Sequence, residues 1–120
     1  MVNRYSKAPV GAHYGMGGWL LQRLTAVVMA AYTVGFAACL LWHAPGTHAE
    51  WQAIFAGTFV RLATMLFLAA LLYHAWIGMR DILMDYVKPT GLRLMLQTAV
   101  AAALGFNLIW SASIHWGVRP

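Results

Sequence analysis

Charge is what this chain has least of. Only 9% of its 120 residues are charged, and three are acidic. Soluble domains carry about 25% charged residues, so a soluble fold is excluded. Cysteine is nearly absent too. Cys39 stands alone, which rules out an intrachain disulfide and leaves a small packing residue inside an apolar run. No G-x-G-x-x-G, P-loop, nucleophile elbow or C-x-x-C occurs, so no flavin, nucleotide or cluster site is encoded here. Internal repeats and low-complexity segments are missing. The first twenty residues contain neither a compact apolar signal core with a cleavage site nor an Arg- and Ser-rich transit segment, which points to a bacterial inner membrane.

What is present is hydrocarbon: 62% of the residues are hydrophobic. A membrane helix needs about 20 apolar residues with few or no charges. Leu24–Trp42 and Leu94–Ile114 contain no charged residue, and in Leu62–Met79 only His74 has an ordinary pKa near neutrality. The runs are continuous, without the alternation of a barrel strand. The expected fold is therefore an all-α membrane protein: one domain over 1–120, with three transmembrane helices spanning about 18–42, 54–79 and 92–116. A cytoplasmic tail (1–17) precedes them and a cytoplasmic connector (80–91) joins the last two.

The formal net charge of +5 could suggest nucleic acid, but its placement reads as topology. Arg4, Lys7 and Arg23 fall before or at the start of the first run, and Arg80, Lys88 and Arg93 lie between the second and third. The loop between the first two runs has no Lys or Arg and carries Glu50. The positive-inside rule then puts the N-terminus and second loop in the cytoplasm and the C-terminus in the periplasm. Arg61 and Arg119 are outward exceptions that can snorkel from helix ends. Trp19, Trp42, Trp51, Trp110 and Trp116 sit near the expected boundaries as an interfacial belt. "GMGG" at 15–18 and "APG" at 44–46 punctuate the first helix, and Pro89 with Gly91 precedes the third. Small residues four apart, Ala31/Gly35 and Ala101/Gly105, either pack the three helices together or face a second membrane subunit.

The residues able to carry chemistry concentrate in "LLYHAWIGMRDILMDYVKP", 71–89. A histidine at membrane depth is costly and faces a bundle interior or cavity. Three roles stay open for His74: a structural hydrogen bond, a proton relay, or axial ligation of a haem. A relay would need ionisable groups at similar depth, which the centres of the other spans lack. His74, Gly78, Asp81 and Asp85 share one helical face, and Gly78 leaves room there for something flat. Six residues, or about 9 Å, separate His74 from Arg80, which places it in the cytoplasmic half of the bilayer. Arg23 has an antiparallel position at similar depth. It is either an interfacial snorkelling residue or a partner for carboxylates such as haem propionates. Asp85 and Tyr86 lie at the membrane edge. Each is either a solvated connector residue or part of a polar site, with the neutral Tyr86 phenol able to donate to a quinone carbonyl. Lys88 and Pro89 end the segment. His13, His43, His48 and His115 fall in tails, loops or helix ends without convincing metal-ligand spacing.

"HAWIGMRDILMDYVKP" (74–89) with "LRLMLQ" (92–97), and "LLQRLTAVVMAAYTVGF" (20–36), resemble the small hydrophobic membrane-anchor subunit of succinate dehydrogenase, respiratory complex II. The resemblance covers all three spans and is strongest at 74–97. It implies a pairing with a second, three-helix cytochrome b anchor subunit, and one haem b held between the two anchors. His74 matches the position of this subunit's iron ligand, and Arg23 that of an arginine near the haem propionates. Tyr86 matches the tyrosine that hydrogen-bonds ubiquinone, with Asp85 beside it. Arg80 is a weaker candidate for a propionate or for contact with the docked iron–sulfur subunit.

What the resemblance implies is an anchor for a flavoprotein and an iron–sulfur subunit, which hold the FAD and the clusters. Such a chain forms part of an enzyme without being catalytic alone. Two other readings remain: the anchor of a fumarate reductase or another cytochrome b-type quinone oxidoreductase, and a small non-redox membrane protein.

Overall fold

A computed structural model describes residues 15–117. The expectations for Arg4, Lys7, His13 and Arg119, and for most of the tail, lie outside the described residues. Four helices follow one another: α1 (Gly15–His43), α2 (His48–Ala56), α3 (Thr58–Tyr86) and α4 (Thr90–Trp116). Three of them, over Met16–His43, Thr58–Tyr86 and Thr90–Trp116, are long and apolar enough to cross a membrane. The fourth, α2, is a nine-residue helix that takes up 48–53 of the expected loop and 54–56 of the expected second span, so that span begins at Thr58.

The helix boundaries follow local chemistry. α1 stops at Ala44, whose φ of 40° puts it in the left-handed region, and whose N–H reaches the Leu40 carbonyl at 2.8 Å. Pro45 follows and cannot extend the helix. α2 starts at a complete capping box. The Thr47 hydroxyl accepts from the Glu50 N–H at 3.3 Å, and the Glu50 carboxylate accepts from the N–H groups of Gly46 and Thr47 at 2.7 and 3.2 Å. Those two backbone bonds hold the Glu50 carboxyl below the ordinary carboxylate pKa. Arg61, on α3, donates from Nε to the Phe55 carbonyl at 2.9 Å and so satisfies the end of α2.

α3 runs on through Tyr86, so residues 80–86, expected from hydropathy to be connector, form its last turns. Apolarity falls there but helical propensity does not, since Arg80, Leu83 and Met84 all favour the helix. Its 29 residues are about 44 Å long against a hydrocarbon core of about 30 Å, so its polar end needs no lipid. Only Val87, Lys88 and Pro89 link it to α4.

α3 is the central element. It packs against both α1 and α4, whose backbones stay apart from each other, and against α2. Among the described residues only Thr64, Ala70, Ile77 and Leu83 are buried, all on α3. Helices in lipid gain little from apolar burial against each other and rely on packing and hydrogen bonds. The α1–α3 seam shows both. Tyr32 donates to the Thr64 hydroxyl at 2.7 Å, Thr64 donates to the Val60 carbonyl at 2.7 Å, and the Tyr32 ring stacks on Phe67 at 4.5 Å.

The small-residue faces take no part in this packing. Ala31, Gly35, Ala101 and Gly105 are all exposed, and a Cβ added at Gly35 or Gly105 would meet nothing within 4 Å. The reading in which they pack the three helices together is therefore excluded for both pairs. Trp19, Trp42, Trp51, Trp110 and Trp116 are exposed.

Candidate functional site

The candidate site is built along α3 and the facing part of α1. Because α3 is one continuous helix from Thr58 to Tyr86, His74, Gly78, Asp81 and Asp85 keep their shared face. Tyr86 lies twelve residues, or about 18 Å, from His74 along the axis.

His74 is half-buried and tethered to α1. Its Nδ1 lies 3.1 Å from the Gln22 carbonyl oxygen and 3.1 Å from Thr25 Oγ1. The Thr25 hydroxyl itself donates to the Gln22 carbonyl at 2.9 Å. A carbonyl oxygen can only accept, so Nδ1 carries the hydrogen of this contact. With the hydrogen on Nδ1, the lone pair of a neutral imidazole falls at Nε2, to which no hydrogen bond is formed among the described residues. Ten residues further along each helix, in opposite directions, Tyr32 meets Thr64. The antiparallel register expected from the charge pattern thus brings the first turns of α1 level with His74.

Arg23 occupies that level but points elsewhere. It is exposed, about 100° around α1 from Gln22, and its guanidinium carbon sits 4.0 Å over the Trp19 ring. Helical side chains lean toward the N-terminus of their helix. Arg23 therefore leans down α1 toward Trp19, while Arg80 on antiparallel α3 leans back toward His74. An Arg80 terminal nitrogen lies 3.7 Å from the Cβ position of Gly18, the neighbour of Trp19. The two guanidinium groups are thus brought to one level, about one turn below His74. Arg80 also pairs with Asp81 at 3.0 Å, with both side chains about half exposed, a contact of modest energy.

Gly78 is half-exposed with open space where a Cβ would stand, so its face is clear of other side chains from this chain. Asp85 and Tyr86 close α3 as exposed residues, Tyr86 at 81%. Neither forms a side-chain hydrogen bond among the described residues. They are adjacent in the chain but are not gathered into a pocket by this chain alone.

Sequence reasoning points to Arg23 and misses Gln22 and Thr25, its neighbours on the face that meets His74. The available signal is Thr25, a hydroxyl at the depth assigned to a membrane histidine, since Gln22 contributes its backbone carbonyl. The other histidines stay local. His43 Nδ1 meets the Cys39 carbonyl at 3.0 Å, His115 Nδ1 meets the Ser111 carbonyl at 2.9 Å, and the His48 Nε2 accepts from the Gln52 amide at 3.0 Å. Among the described residues no three His, Cys, Asp or Glu side chains gather as a metal site.

Two comparisons with known proteins bear on this arrangement. Residues 5–109 match the family described as "Succinate dehydrogenase/Fumarate reductase transmembrane subunit". The chain is also similar to a protein of Coxiella burnetii (strain RSA 493 / Nine Mile phase I), the "Succinate dehydrogenase hydrophobic membrane anchor subunit". The two are 34% identical over 119 residues, covering 99% of this chain and 98% of the relative. Taken with its three membrane-length helices, the chain belongs to the succinate dehydrogenase/fumarate reductase transmembrane subunit family, as a multi-pass membrane-anchor subunit.

Proposed function

We propose that this chain anchors a succinate:ubiquinone oxidoreductase in a bacterial inner membrane, supplies one axial ligand to a haem b, and forms part of the ubiquinone-reduction site. The observation that carries the haem reading is the His74 tether. A bound iron needs one imidazole nitrogen with a free lone pair, held in a fixed ring orientation by a hydrogen bond on the other nitrogen. Nδ1 bound to the Gln22 carbonyl supplies that arrangement. A haem takes a single residue from a helix, not a cluster, so the lack of a three-residue group is compatible with it. His74 would supply one ligand to the iron, and a second, three-helix anchor subunit would supply the other. The unpacked faces of Gly35, Gly78 and Gly105 are the surfaces this chain offers to such a partner.

When bound, haem b supplies a one-electron store within the bilayer. Arg23 and Arg80, at one level below His74, offer guanidinium donors for its carboxylates. Tyr86, at the end of α3, donates its phenolic hydrogen bond to a quinone carbonyl, and Asp85 beside it orients the site. A neutral donor aimed at an oxygen that gains negative charge favours the reduction. The flavoprotein and iron–sulfur subunits would hold the FAD and clusters that carry the two electrons of succinate, and this chain would help to hold the ubiquinone that takes them up with two protons. The basic charges at the Tyr86 end support a cytoplasmic location for the docking face.

The test is Tyr86→Phe in the assembled complex, which keeps the ring and removes the donor. Succinate–quinone activity should fall about 10- to 100-fold, the loss of roughly 1.5–3 kcal/mol for a hydrogen bond to a charged group. Dye-linked succinate oxidation should persist. Unchanged quinone turnover contradicts the assignment of Tyr86.

A further inference from the structure

We propose that the Thr25 hydroxyl is a positioning group for His74, fixing the ring tautomer and orientation and so the direction of the Nε2 lone pair. The inference rests on the haem reading above. Three contacts close a triangle: Thr25 Oγ1 to the Gln22 carbonyl at 2.9 Å, His74 Nδ1 to the same carbonyl at 3.1 Å, and His74 Nδ1 to Thr25 Oγ1 at 3.1 Å. Each hydrogen has one consistent place. The hydroxyl hydrogen goes to the carbonyl, the carbonyl accepts twice, and the Nδ1 hydrogen is shared between the carbonyl and the hydroxyl lone pairs.

The opposite tautomer breaks the triangle. With the hydrogen on Nε2, the Nδ1 lone pair would face carbonyl lone pairs at 3.1 Å. The Thr25 hydroxyl could then repair Nδ1 only by leaving Gln22. Threonine suits the post because its hydroxyl bonds a carbonyl one turn back in its own helix, which sets its rotamer before α3 packs. Two acceptors on the Nδ1 hydrogen hold the ring in one orientation, so the Nε2 lone pair keeps one direction toward an iron. Thr25 touches no iron and no substrate; it acts only through His74.

The experiment compares the intact complex carrying Thr25→Val, which keeps the shape and removes the hydroxyl, with Thr25→Ser, which keeps the hydroxyl. The readouts are the haem midpoint potential and the low-spin EPR g values. Thr25→Val should shift the potential and the g values, because the ring loses its fixed orientation, while Thr25→Ser should match the parent complex. Haem lost from Thr25→Val but kept in Thr25→Ser carries the same conclusion. An unchanged potential in Thr25→Val, or equal shifts or losses in both variants, overturns it. A His74→Ala complex in the same series separates the two levels. If that variant keeps the parent haem spectrum, the ligand assignment fails. If it loses the spectrum while Thr25→Val is silent, only the role of Thr25 fails.

Discussion

His74 and His115 both hold Nδ1 against a backbone carbonyl, yet they do so in opposite ways at two different places in the molecule. His115, near the end of α4, uses the Ser111 carbonyl one turn back in its own helix and rests edge-on against Phe55 at 6.4 Å. His74 uses the Gln22 carbonyl of another helix, 52 residues away in sequence. The first contact would form in an isolated helix. The second forms only when α1 and α3 are docked, so it records tertiary structure. The surroundings differ in the same sense. At the α2 end, polar groups satisfy each other locally: the Thr47–Glu50 box, the Arg61 cap on Phe55, the His48–Gln52 pair. Toward the Tyr86 end, Gly78 is open, Asp85 and Tyr86 have no partner among the described residues, and two arginines stand at one level. A region that closes its own polar groups reads as scaffold, and one that leaves them open reads as a surface for ligands and partner chains.

The comparison can be sharpened by removing one arginine from each end. Arg23→Gln should lower the haem midpoint potential, because a lost positive charge favours the ferric state. Arg23 is exposed in this chain, so solvent screens its charge and the shift should be modest. Arg61→Gln should leave the potential unchanged and weaken only the end of α2. Equal shifts in the two variants would erase the distinction between the ends.

A smaller effect is expected at the seam between them. Tyr32→Phe removes the bond to Thr64 while Thr64 keeps the Val60 carbonyl, so no buried donor is orphaned. Interhelical hydrogen bonds in membranes average about 0.6 kcal/mol, up to about 1.7. Denaturant titration in detergent should show a loss of that size, with His74-dependent spectra intact.

The smallest effect concerns pH. The Glu50 pKa is lowered from its ordinary value of 4.5 by the backbone of Gly46, then Thr47. A lowered carboxyl stabilises the folded form above the ordinary value and loses that contribution as pH falls through the lowered one. The Gly46 and Thr47 amide proton shifts should therefore be constant near neutrality and titrate only in acid. In Glu50→Gln they should not titrate, although glutamine can still close the box.

The three spans are legible in the sequence because 18–21 uncharged or nearly uncharged residues leave little alternative to a membrane helix. The register of α1 on α3 is legible from basic residues at the same ends. Two segments differ from expectation for a common reason: hydropathy does not report helicity. Residues 80–86 lose apolarity yet continue α3, and "THAEWQA" has the hydropathy of a loop although Thr47 and Glu50 spell the capping box that starts α2. The partners of His74 are out of reach in a different way. Gln22 contributes its backbone carbonyl, which carries no residue identity. Of that contact only Thr25 offers a sequence signal.

The most direct measurement is the dithionite-reduced minus oxidised visible spectrum of the purified complex, in the parent and in His74→Ala, with His115→Ala as the control at the other end. The account predicts a b-type haem with bis-histidine character in the parent and in His115→Ala, and its loss or conversion in His74→Ala. A normal bis-histidine spectrum in His74→Ala would contradict it.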